Sequence, residues 1–79
     1  MYMSQVVHNK LKPGQLWQHH KGKHYKIIVL GKHSETGEEL VAYERQEDGN
    51  VYFRPLNMFF ETVEWEGKTV PRFQLISDN

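Results

Sequence analysis

Leu40-Val41-Ala42-Tyr43-Glu44-Arg45-Gln46-Glu47-Asp48-Gly49-Asn50-Val51-Tyr52-Phe53 decides the fold. Residues 40–45 alternate in polarity, Asp48-Gly49 carries the signature of a tight turn, and Val51-Tyr52-Phe53 resumes strand chemistry, so the stretch reads as a β-hairpin. Pro55 then removes a backbone donor and stops the ladder, and Leu56 to Phe60 has the length of one helical or 3₁₀ turn. Working outward, Thr62-Val63-Glu64-Trp65 alternates again, Glu66-Gly67-Lys68 turns, and Val70 to Ile76 reads as the last strand. On the other side, Tyr25 to Leu30 is β-branched and apolar, lies between Gly22 and Gly31, and is too short for a core helix. Its two apolar faces suit a central, strongly bent strand. Lys21-Gly22 joins it to Leu16-Trp17-Gln18-His19 in a first hairpin.

These segments predict an all-β domain, a small SH3-like barrel of five or six short antiparallel strands with one short helical turn. An OB-type barrel is the alternative and needs more residues. The barrel spans 13–79, and residues 1–12 form an N-terminal arm in which Ser4 could cap a short helix. At 79 residues the chain is one domain, and a domain this small buries only about 60% of its unfolded surface. The absence of cysteine excludes a disulfide framework and a thiolate metal site, which with the lack of a signal-like or membrane-spanning run predicts a cytoplasmic protein. Ten basic and ten acidic residues balance, so no overall field draws in nucleic acid.

Several spaced motifs are familiar in this order. They are Trp17-Gln18-His19-His20-Lys21-Gly22, Tyr25, His33-Ser34-Glu35-Thr36 with Glu38, Glu39, Val41 and Tyr43, Phe53-Arg54-Pro55 with Met58-Phe59 and Glu61, and Gly67 with Val70-Pro71-Arg72-Phe73. From Pro13 to Ile76 the chain resembles a family of short, mostly bacterial proteins catalogued as domain of unknown function 1653. The resemblance implies an SH3-type barrel and no established activity. Family members usually carry an aromatic residue where His20 stands and a more apolar stretch at Gln46-Glu47-Asp48, which implies a solvated hairpin tip here.

Arg54 and Arg72 each adjoin a proline inside an apolar run. A guanidinium cannot shed its charge, so its donors must meet a carboxylate, carbonyls or a bound anion. The candidate ligand site is a polar cleft of Arg54, Arg72, His19, His33 and Glu35, holding a small anion or the acidic or carboxy-terminal part of a peptide. The structural alternative is pairing with Glu35, Glu38 or Glu61, each arginine pinning a loop.

Other constellations point less far. Trp17, Tyr43 and Tyr52 have polar tips that suit a wet rim and form a candidate aromatic face; with Lys21, Lys23, Lys26 and Lys32 they make nucleic-acid binding the alternative function. His33-Ser34 cannot act as base and nucleophile unless the chain turns between them, because adjacent strand residues face opposite ways, and Ser34 and Thr36 read as loop ties. Acid and base from His19 or His33 with Glu35 or Glu61 would need a shared pocket, and the expectation is a binding module without enzymatic chemistry or cofactor. His19, His20 and His24 lack a third ligand at standard spacing, so no metal is expected. Met58-Phe59-Phe60 reads as a plug closing one barrel end. An open barrel edge would serve a homodimer as well as a peptide, so monomer and homodimer both fit.

Overall fold

The computed structural model describes residues 11–78. Seven strands and one helical turn follow in the order β1 (Leu16–His19), β2 (His24–Lys32), β3 (Glu39–Arg45), β4 (Val51–Pro55), α1 (Leu56–Phe59), β5 (Thr62–Trp65), β6 (Lys68–Pro71) and β7 (Phe73–Ser77). The all-β class and both hairpins stand as expected. A five-stranded antiparallel sheet runs β4-β3-β2-β1-β7, and β5 and β6 pair as a separate hairpin. The proposed arm at 1–12, with its Ser4 helix, lies outside the described residues up to position 10; Leu11 is a core residue.

The strand count exceeds the five or six anticipated because Val70 to Ile76 is two strands rather than one. The break falls at Arg72. Its N–H donates to the Glu61 carbonyl at 2.9 Å while its own carbonyl accepts from the His20 N–H at 2.9 Å, so the residue passes the chain from the small hairpin to the large sheet. The β5–β6 turn itself is a two-residue one in which Glu66 (φ 52°) and Gly67 (φ 78°) both take positive φ, the twist that tight hairpins require.

β4 and β7 are the two edges of the large sheet, so hydrogen bonds do not close it into a barrel. Side chains curl it instead. In a flat sheet β3 and β7, three strands apart in the order, would stand about 14 Å from each other. Yet the Tyr43 and Phe73 rings from those strands meet at 5.4 Å, and Phe59 of α1 packs on Trp17 of β1 at 5.3 Å, on Tyr43 at 5.6 Å, and stacks on Phe73 at 4.2 Å with 5° between planes. Phe59 is the plug that the sheet wraps around, with Phe60 half-buried beside it and Met58 exposed.

The bend in β2 has a local cause. Ile27 pairs with Tyr43 and Val29 with Ala42, leaving Ile28 as an extra residue in a bulge. Tyr25 and Ile27 point inward before the bulge and Leu30 after it. The two apolar faces of this strand are therefore not both buried: Ile28 and Val29 are exposed on the outer side, as are Val51 and Phe53 of β4.

Trp17 and Tyr43 are 3% exposed each and belong to the core, not to a wet aromatic face. Their polar tips are met inside the protein. Trp17 Nε1–H donates to Oε1 of fully buried Gln15 at 3.1 Å, and the Tyr43 hydroxyl accepts from Arg54 at 2.9 Å. A buried polar tip with a partner carries no penalty, so wet surroundings are unnecessary.

Candidate functional site

Strand periodicity builds the site. On β3, Val41, Tyr43 and Arg45 share the inner face, and on β4 Tyr52 and Arg54 share it opposite them, through the pairs Val41 with Arg54 and Tyr43 with Tyr52. Tyr25 of β2 stands opposite Arg45. His19 of β1 pairs with Phe73 of β7, and their rings meet edge-on at 5.1 Å. Together His19, Tyr25, Tyr43, Arg45, Tyr52, Arg54 and Phe73 line a cleft of about 160 Å³ at one end of the curled sheet.

Two guanidinium groups enter this cleft in different electrostatic states. Arg45 is committed: its Nε donates to both oxygens of Asp48 (3.2 and 3.1 Å), its Nη2 reaches Oδ2 at 2.7 Å, and its plane sits 5.2 Å from the centre of the Tyr52 ring. That bond holds the Asp48 carboxyl down at about 2, so the pair stays ionised and mutually neutralised at any ordinary pH. Arg54 meets no carboxylate within ion-pair reach among the described residues, and its Nε–H donates to the neutral Tyr43 hydroxyl. Its two terminal nitrogens keep their donors for another acceptor.

His19 is pushed down to about 4, first by burial and then by the positive neighbours His20, Arg72, Lys21 and Arg54. Its Nδ1 accepts from the Lys21 N–H at 3.2 Å, so the neutral ring carries its proton on Nε2. The unfolded chain, with an ordinary histidine near 6.5, binds the extra proton between these two values. The folded state therefore holds its full advantage above pH 6.5, loses it progressively as pH falls to 4, and loses nothing more from this group below that. After allowance for solvent screening at a half-buried ring, the contribution is roughly 1 kcal/mol. Urea midpoints should be flat above pH 6.5 and fall between 6.5 and 4, and the slope should vanish in His19→Gln; a slope unchanged in that variant would assign it to another group.

The remaining sequence candidates do not converge. Arg72 acts on His19 electrostatically but does not line the cleft; its Nη2 reaches the exposed Glu61 at 3.4 Å, its buried Nε meets no acceptor among the described residues, and its backbone links the β5–β6 hairpin to the large sheet. His33 and Glu35 sit in the turn after β2, where His33 Nδ1 accepts from the Glu35 and Thr36 N–H groups and Thr36 Oγ1 accepts from the Glu38 N–H. The turn closes the end of the β2–β3 ladder at Lys32 and Glu39, whereas Tyr25 and Arg45 stand at its other end, roughly 20 Å along the strands, and neither His33 nor Glu35 lines the cleft. His33 and Glu35 therefore do not join Arg54 in this cleft. Ordinary turn chemistry accounts for them.

Arg45 and Tyr25 enter in their place. Arg45 lies two residues from Tyr43 and so on the same strand face, a signal present in the alternation of 40–45; Tyr25 joins only through a register that the bulge at Ile28 sets. The lysines do not gather: Lys23 pairs with Glu47 at 2.6 Å, Lys21 lies 5.9 Å from the Trp65 ring centre, and Lys26 stands opposite Glu44. Among the described residues no group of three or more histidine or carboxylate side chains is placed to hold a metal ion, and no helix is long and apolar enough to cross a membrane.

Fold and cleft define the class: a small antiparallel domain with an aromatic core, curled around one helical turn and open at a polar, arginine-bearing end. The chain belongs to the DUF1653 family of proteins of unknown function, whose family model matches residues 15–75. It is similar to the crystal structure of a DUF1653 protein from Bordetella bronchiseptica, with 30% identity and a TM-score of 0.76 over 87% of this chain and 91% of that one. No curated protein matches it.

Proposed function

We propose that the protein is a non-enzymatic binding module whose cleft between His19, Tyr25, Tyr52 and Arg54 holds an anionic ligand. The observation that carries this reading is the uncompensated guanidinium of Arg54: a cation in a cleft walled by aromatic rings, with a neutral phenol as its only partner among the described residues. Such a group gains most when an anion reaches its free donors, because charge-assisted bonds strengthen as water is excluded. Arg45 with Asp48 then acts as a fixed wall, its stacking on Tyr52 holding that ring at the cleft edge. Acid–base chemistry has less support, since none of the described residues lining the cleft is a carboxylate and the imidazole among them, held down at about 4, is a weak base.

Titration of the protein with small anions, followed by amide chemical shifts, tests the reading. Localised shifts should appear at the cleft residues, and Arg54→Gln should weaken binding at least tenfold, on the order of the 1.5–3 kcal/mol of a charged hydrogen bond, while keeping a cooperative unfolding transition. Arg54→Lys keeps the charge without the planar fork and should bind with intermediate strength. Equal binding by the parent and both variants would overturn the assignment. So would loss of the fold in Arg54→Gln together with unaltered binding in Arg54→Lys, which would make the guanidinium structural.

A further inference from the structure

The charge inventory of the cleft narrows the kind of anion, and this step rests on the anion-site reading above. Arg45 is cancelled by Asp48 through three hydrogen bonds. His19 is neutral, its Nδ1 occupied by the Lys21 N–H. Arg72 is turned toward Glu61. When Asp48, which lies outside the lining, is counted with the Arg45 it pairs, the described groups at the cleft leave the single unpaired positive charge of Arg54. A dianion entering this space would leave one negative charge unmatched among the rings of Tyr25, Tyr52 and Phe73, where an uncompensated charge is costly.

The geometry of the guanidinium sets how the anion docks. Nε of Arg54 is spent on the Tyr43 hydroxyl, which leaves the two terminal nitrogens as an end-on fork of parallel N–H groups. Two oxygens of a carboxylate match that fork, as two of a phosphate would, so the preference between them rests on charge, and the aromatic walls suit an apolar body carrying the anion. We infer that the cleft takes a planar carboxylate monoanion on an apolar or aromatic body, in preference to phosphate. Two sources supply such a group: a small organic acid, or the free carboxy terminus of a peptide ending in an apolar residue.

Matched probes separate these outcomes. The full chain at pH 7.5 and constant ionic strength is titrated with benzoate, with phenyl phosphate, with a short peptide ending in phenylalanine, and with the carboxamide of that peptide, following the amides of His19, Tyr25, Tyr52 and Arg54. Benzoate or the free-acid peptide should saturate these shifts at a Kd at least tenfold below that of phenyl phosphate, and the carboxamide should bind at least tenfold more weakly than its acid. Tighter binding of benzoate than of the peptide assigns a small acid as the ligand, and the reverse order assigns a peptide terminus; both support the inference. Phenyl phosphate binding as tightly as benzoate overturns the carboxylate preference and leaves the anion site standing. Absence of localised shifts with every probe overturns both.

Discussion

Phe59→Ala should remove about 3–5 kcal/mol of stability, the largest loss expected from any single truncation in this domain. The side chain is 0% exposed and its ring touches Trp17, Tyr43, Phe60 and Phe73. These neighbours come from three strands of one sheet and from the residue that follows α1, so no single element can move in to refill the space without uncurling the sheet. A domain of this length holds on the order of 4–12 kcal/mol in total. The variant should therefore lie near its unfolding midpoint at room temperature or beyond it. Phe59→Leu, which keeps part of the volume, should lose less and stay cooperative. Denaturant unfolding measures both; a loss below about 1 kcal/mol for the alanine variant would mean that the sheet does not close around this ring.

Gln15→Leu should cost about 2–4 kcal/mol although it exchanges a polar side chain for an apolar one of similar size. Gln15 is 0% exposed. Its Oε1 accepts from Trp17 Nε1–H and from the Lys12 N–H, both at 3.1 Å, and its Nε2 donates to Asp78 Oδ1 at 2.7 Å. One amide thus ties the segment before β1, the indole at the centre of the core and the segment after β7. Leucine removes the acceptor and leaves a buried indole N–H without a partner, the costly half of a broken hydrogen bond. The double variant with Trp17→Phe removes that orphaned donor as well, so its loss should be smaller than the sum of the two single losses. Strict additivity would deny the coupling.

Gln15 also shows where sequence reasoning stops. Nothing in Pro13-Gly14-Gln15 marks a buried hub, because its partners arrive from position 78 and from a side chain two residues on, and their meeting depends on how β1 sits between β2 and β7. The hairpin at 40–53 was legible because alternation and the Asp48-Gly49 turn are local signals that act together; the register pairs Tyr43 with Tyr52 as that turn dictates. The helical turn after Pro55 and the plug at Phe59 were legible for the same local reason. The break at Arg72 was not, since it comes from two backbone bonds to Glu61 and His20, both distant along the chain.

The candidate site was half legible. Arg54 follows from a charge placed inside an apolar run, and the structure brings it to one cleft with His19, which the sequence offers only by residue type. Arg72 follows from the same logic but found the alternative fate, pairing with Glu61. Residue chemistry alone groups His33 and Glu35 with the cleft, and it carries no register to say that their turn lies beyond the Lys32 and Glu39 end of the β2–β3 ladder. The polar tips of Trp17 and Tyr43 suit a wet rim on sequence grounds, but Gln15 and Arg54 supply those tips with partners inside. Each of these displacements has the same physical origin: long-range pairing decides which polar groups meet, and period-two alternation decides only which face they share.

The side-chain Nε–H resonance of Arg54, followed in a nitrogen-15 spectrum during addition of benzoate, probes the cleft most directly. An uncompensated guanidinium receiving a carboxylate should show a saturable shift that tracks the amides of His19 and Tyr52, while Arg72, outside the cleft, stays in place. An Arg54 resonance that does not move, or that moves no more than that of Arg72, would contradict an anion site at this end of the sheet.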